Sequence, residues 1–164
     1  MSYDAKFEDA IFSDQPLRLG IETPEDLEIA SALVQDAVGL TGEISWMPKR
    51  RRLALLVNRF RWEDHTQAER QARDFERVRS ALVFDDVLAV RANGLDPSDR
   101  DTVFSILRLG FEMTEEPSGT VSLALAGDGA LALDVEVLNA RILDLTRPWA
   151  ATRAPDHKLD EIGE

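Results

Sequence analysis

Cysteine is absent from all 164 residues of this chain. Disulfides, thiol nucleophiles and thiolate metal ligands are therefore excluded, and the composition suits a reducing compartment. Histidine is scarce as well, with His65 and His157 the only two. No serine stands in a Gly-x-Ser-x-Gly turn, so nucleophilic catalysis would rest on His65 as base, and a solvated loop histidine is the simpler reading. Long apolar runs are missing too. Nothing approaches the ~20 residues needed to cross a bilayer. The stretch from Met1 to Glu8 mixes charges without an apolar core, so no signal peptide is expected. These absences point to a soluble, cytoplasmic protein with no membrane role. Cations are the last deficit: 19 Lys and Arg stand against 31 Asp and Glu, a net charge of −12. Such a surface repels nucleic acid and anionic lipid at long range.

What remains is the composition of an ordinary globular protein, 44% hydrophobic and 30% charged, long enough to bury one sizeable core. We expect a loose lead-in over residues 1–15, a single α+β domain over 16–149 and a flexible tail over 150–164. The clearest element is a helix. Thr23 is a good N-cap, Pro24 suits the first turn, and Glu25 and Asp26 complement the positive end of the dipole. Leu27, Ala30, Leu33, Val34, Ala37 and Val38 follow at helical spacing, with Gly39 placed for a C-cap.

Elsewhere the period is two. Leu17, Leu19 and Ile21 mark a short strand, and Ile44 and Trp46 lead through a turn at 48–51 into a long strand from Leu53. Residues 78–84 and 87–92 read as a hairpin about Asp85-Asp86; 103–113, 121–125 and 131–137 follow, turned at 117–119 and 127–129. Residues 65–76 fit a short surface helix or an ordered loop, and 138–145 a strand or a short helix. The expected fold is α+β: a mostly antiparallel sheet of about seven to nine strands, as a curved sheet, sandwich or small open barrel, packed with one main amphipathic helix. "LRLGIET" at 17–23 echoes "LRLGFEM" at 107–113, but a helix follows one and a hairpin the other, which favours convergence over duplication.

Candidate chemistry is thin. Asp96, Asp99 and Asp101 share a loop, but it lacks the spacing, glycine and terminal Glu of an EF-hand, and Asp before Pro97 is ordinary turn chemistry. Gly127-Asp128-Gly129 reads as a hairpin turn, since a phosphate cradle wants more glycine and a following helix. We assign no catalytic residue, no metal ligand and no cofactor, and do not expect an enzyme.

The exception to the acidic background is "PKRRRLALLVNRFRWED" at 48–64. Between residues 49 and 61 it holds six cations, Lys49, Arg50, Arg51, Arg52, Arg59 and Arg61, and no anion, beside Trp46, Phe60 and Trp62. Cations neutralise phosphates and aromatics stack on bases, as in single-stranded nucleic-acid binders. Alternation, however, puts Phe60 and Trp62 opposite Arg59 and Arg61, so they cannot form one stacking surface without a twist or bulge. A purely structural reading makes the aromatics core, the two arginines solvated and the turn a charged edge that blocks aggregation. If the hairpin makes contacts, an acidic protein partner or a second copy of the chain fits better than nucleic acid, because Arg and Trp together are typical interface anchors.

The run "PEDLEIASALVQDAV…ISWMPKRRRLALLVNRFRWE…ERVRSALVFDDVLAV…LALAGDGALALDVEVLNARILDL" resembles the alphaproteobacterial family of unknown function 2948, over about Leu17 to Leu145. Its most specific pieces are Asn58-Arg59-Phe60-Arg61-Trp62-Glu63, Arg77-Val78-Arg79-Ser80 and Ala126-Gly127-Asp128-Gly129. The resemblance implies a small bacterial cytoplasmic protein and carries no activity, ligand or catalytic residue. The functional expectation is a non-catalytic interaction or accessory module using the hairpin 46–62, with weak single-stranded nucleic-acid binding by the same hairpin as the alternative.

Overall fold

The computed structural model describes residues 16–64, 69, 75–96 and 98–151. The lead-in 1–15, His65, His157, nearly all of 65–74 and the tail from 152 lie outside the described residues. The first strand, β1 (Arg18–Ile21), puts Leu19 and Ile21 on one buried face, and helix α1 (Pro24–Leu33) follows at once. Its start is as expected. Thr23 Oγ1 accepts the Asp26 N–H while the Asp26 carboxylate accepts the Thr23 N–H, a reciprocal capping box. Its end is not. The helix stops at Leu33, short of Gly39, because the chain is drawn into sheet pairing: Asp36 takes a left-handed φ of 63°, its N–H bonds Ile106 O, and Ala37 O accepts the Ile106 N–H.

Val38–Leu40 is therefore a strand, β2, rather than the last turn of a helix. Gly39 is needed there for close approach, since a Cβ would lie 2.7 Å from both Leu56 O and the Phe104 ring. The remaining strands are β3 (Ile44–Met47), β4 (Arg52–Phe60), β5 (Phe75–Phe84), β6 (Val87–Asn93), β7 (Val103–Met113), β8 (Gly119–Leu125), β9 (Ala130–Val135), β10 (Ala140–Asp144) and β11 (Trp149–Ala151). The count among the described residues is eleven, above the expected seven to nine. The two unforeseen strands are β2, read as helix, and β11, which begins at Trp149 and pairs with β5.

Every pairing is antiparallel, in the order β1-β10-β5-β4-β2-β7-β8-β9-β6, with β3 also on β4 and β11 also on β5. The two end strands do not pair with each other, so the sheet stays open among the described residues. One expected hairpin is absent. Asp86, at φ 58°, turns the chain after β5, yet β6 pairs with β9 instead of β5. Both edges of β5 are already taken, by β4 on one side and by β10 and β11 on the other. The sheet curls so that β6 to β9 share one core with β1, β4, β5 and β10, built on Leu19, Leu53, Leu55, Leu82, Leu123, Leu133 and Ile142. Helix α1 closes part of this core through Leu27, Ala30 and Leu33, against β7 and β1. No helix among the described residues is long and apolar enough to cross a membrane.

Candidate interaction site

Alternation along β4 decides where the basic hairpin points. Leu53, Leu55 and Val57 face the core, and two residues further on the same face carries Arg59. Arg59 is fully buried rather than solvated, and its neighbours explain how it can be. The Glu63 carboxylate takes Nη1 and Nη2 at 2.9 and 2.8 Å, while the Asp144 carboxylate takes Nε and Nη2 at 3.1 and 3.0 Å. Ser80 Oγ, opposite Val57 on β5, donates to Asp144 at 2.7 Å, and the Leu17 N–H bonds the other Asp144 oxygen at 2.9 Å. Burial works to lower the Arg59 pKa, but hydrogen bonding and charge from Glu63 and Asp144 outweigh it. The net shift is upward, so the guanidinium stays charged. Arg61 is also buried, and it pairs with Glu76 and lies 3.9 Å from Glu63.

The aromatics are divided in the same way. Phe60 is fully buried and meets the Trp62 ring edge-on at 4.6 Å. Trp62 is half-buried, its indole N–H bonded to Gln35 O just beyond α1. Trp46 sits opposite Leu53 on β3 and packs against the core. Hence Arg59, Arg61, Phe60 and Trp62 fasten the end of β4 to β5, β10 and the end of α1. They offer no cationic surface with stacking rings.

The other end of the hairpin is different. Arg51, at φ 53°, ends a single 3-10 turn (Pro48–Arg50) and pairs with Glu136 at 2.6 Å on the surface. Arg52 shares Asp85 with Arg141, at 2.7 and 2.8 Å. Burial of Asp85 acts to raise its pKa, but the two arginines overcome it and hold the carboxylate below its ordinary value. Lys49 and Arg50 are exposed at the turn and make no ion pair among the described residues. Of the nine candidate residues, then, the structure leaves Lys49 and Arg50 free, with Arg51, Arg52 and a part-exposed Trp46 beside them.

Sequence reasoning missed the carboxylates. Glu63, Glu76 and Asp144 are scattered along the chain, and Asp144 is brought to Arg59 only by the β10–β5–β4 pairing. A signal did exist, because an inward-facing apolar series that runs into Arg59 demands a buried anion. Elsewhere, Asp96 accepts hydrogen bonds from the backbone N–H and hydroxyl of Ser98, a local turn. Arg77 Nη1 is buried without a hydrogen-bond partner among the described residues, and burial lowers the Arg77 pKa against an opposing pull from Asp36.

A family profile described as "Protein of unknown function (DUF2948)" matches residues 17–157. The chain belongs to this family. No curated protein and no solved structure matches it. The span matched in this DUF2948 member takes in the whole hairpin, together with Glu63, Glu76, Ser80 and Asp144 that neutralise its inner end.

Proposed function

We propose that this DUF2948 protein is a bacterial, cytoplasmic, non-catalytic interaction module that contacts an acidic protein partner through the turn at 48–52. The observation that supports this most directly is the unequal fate of six cations. Arg51, Arg52, Arg59 and Arg61 are paired to carboxylates within the fold, whereas Lys49 and Arg50 stand exposed and, among the described residues, unpaired on a chain of net charge −12. A small positive tip on a negative body gives orientation and rate to encounters with a negative partner. Single-stranded nucleic acid is the weaker reading, because Arg59, Arg61 and Phe60 are buried in the fold and the exposed cations of the turn have only a part-exposed Trp46 beside them for stacking.

The chain offers its own probe, since Lys6, Lys49 and Lys158 are its only lysines. Zero-length carbodiimide coupling joins a lysine amine to a carboxylate already in contact with it. In lysate of cells producing the full chain, Lys49 is expected to couple to Asp or Glu of another protein, and Arg50→Glu is expected to suppress that product. Coupling at Lys49 no greater than at Lys6 and Lys158 would refute the reading. Ultraviolet cross-linking to nucleic acid at Trp46 would move it to the alternative.

A further inference from the structure

Among the described residues, β6 is the longest strand that has only one partner strand. Six of its seven residues pair with β9 and none with another strand, and beyond Val87 no backbone group on its outer edge has a partner among the described residues. Edges of this kind are normally blocked by charge, proline or a bulge. Here a bulge lies between Val87 and Ala89, leaving Leu88 half exposed, but from Ala89 to Asn93 the register is regular and the outer edge is bare. The only charge on that stretch, Arg91, is drawn to Asp134 on β9.

What borders this edge is specific. At its start the Val87 N–H bonds Arg51 O, so the strand leaves directly from the basic turn. At its end the loop from Gly94 returns to the foot of β3, where Gly42 N bonds Arg100 O and Thr41 N bonds Thr102 O. The outer edge of β3 is unpaired as well among the described residues. Along this frame Ile44 and Trp46 on β3, Val90 on β6 and Leu95 in the loop all pack on the core and all remain partly open to solvent.

We infer that β6 binds an extended peptide segment of a partner protein by strand addition, with apolar side chains at alternate positions and a carboxylate beside Lys49 and Arg50. The bare edge supplies main-chain hydrogen bonds. The part-open Trp46, Val90 and Leu95 supply apolar contact on one face, and alternation in the peptide follows from strand geometry. Charge complementarity selects the occupant: the two cations unpaired among the described residues stand at the turn bonded to the start of this strand, and they call for a carboxylate at the adjoining end of the peptide. The inference rests on the proposed function and adds the mode of contact.

The test is a selection of random dodecapeptides displayed on phage over the full-length protein, followed by synthesis of the winner. Affinity would be read by fluorescence anisotropy and the footprint by hydrogen exchange. Expected are winners that alternate apolar and polar residues with Asp or Glu at one end, and slower exchange at those amides of residues 88–93 not bonded to β9. Lys49→Glu with Arg50→Glu is expected to weaken binding at least about tenfold. A footprint at the turn with no change on β6 would overturn strand addition while leaving the turn as a contact. A peptide footprint elsewhere, or no enrichment, would overturn strand addition as well. Protection of β6 that rises with protein concentration in the absence of peptide would assign the edge to a second copy and overturn the heterologous partner.

Discussion

Arg50 and Arg59 are nine positions apart in one hairpin, carry the same side chain, and do opposite things. Arg50 is exposed at a turn and pairs with no carboxylate among the described residues. Arg59 has no exposed surface and is gripped by two carboxylates at 2.8 to 3.1 Å. The difference is made by the strand between them. Alternation from Leu53 carries position 59 to the inner face, whereas the turn precedes the strand and owes nothing to its pleat. A run of like charge in a sequence is therefore not a surface. Its members sort by strand parity and by which anions the sheet brings alongside.

Substitutions can break this contrast in graded steps. The largest effect belongs to the buried carboxylates. Asp144→Ala leaves Arg59 short of one partner, removes the acceptor of the Ser80 hydroxyl and strands the Leu17 N–H, so urea unfolding should show a loss of about 3–5 kcal/mol; a loss below about 1 kcal/mol would mean that the network is ornamental. The middle case is Arg52, more than one-third exposed and sharing Asp85 with Arg141. Its pair with Asp85 should contribute below about 1 kcal/mol, since solvent screens it. Its pH signature is sharper. Because the folded pKa of Asp85 is depressed, its stabilising contribution is present above the ordinary value of 3.8 and is lost as pH falls through the lower folded value. Arg52→Ala should move the Asp85 titration, followed by carboxyl-carbon NMR, up toward that ordinary value, and an unmoved titration would assign the depression to Arg141 alone. The smallest effect is at Arg51, whose pair with Glu136 is about half exposed on both sides. Arg51→Ala should change unfolding free energy by less than about 0.5 kcal/mol in a urea titration.

Much of the fold was legible in the residues, for local reasons. Thr23, Pro24 and Asp26 state a helix start in chemistry that acts within four residues, and the structure has that cap. The turns at 48–51 and 127–129 were equally local, with Arg51, Gly127 and Asp128 taking left-handed φ. The errors came where distant pairing overrules local preference. Val38 continued a helical stripe, yet β4 and β7 claim it as a strand. Val87 to Asn93 looked like the return arm of a hairpin, yet the edges of β5 were full and β9 took it. The site divided in the same way. The exposed turn could be read from its composition. The burial of Arg59 and Arg61 needed Glu63, Glu76 and Asp144, and the sheet register alone places Asp144 beside Arg59.

The most direct test applies one chemical change at both ends. Arg50→Met and Arg59→Met each remove a guanidinium and keep a flexible apolar stem, so their urea unfolding midpoints can be compared side by side with wild type. Arg59→Met leaves Glu63 and Asp144 buried without their cation and should lower the unfolding free energy by about 3–5 kcal/mol, whereas Arg50→Met should stay within about 0.5 kcal/mol of wild type. Equal midpoints for the two variants, or a larger loss at Arg50, would contradict the division of the hairpin into a structural end and a contact end.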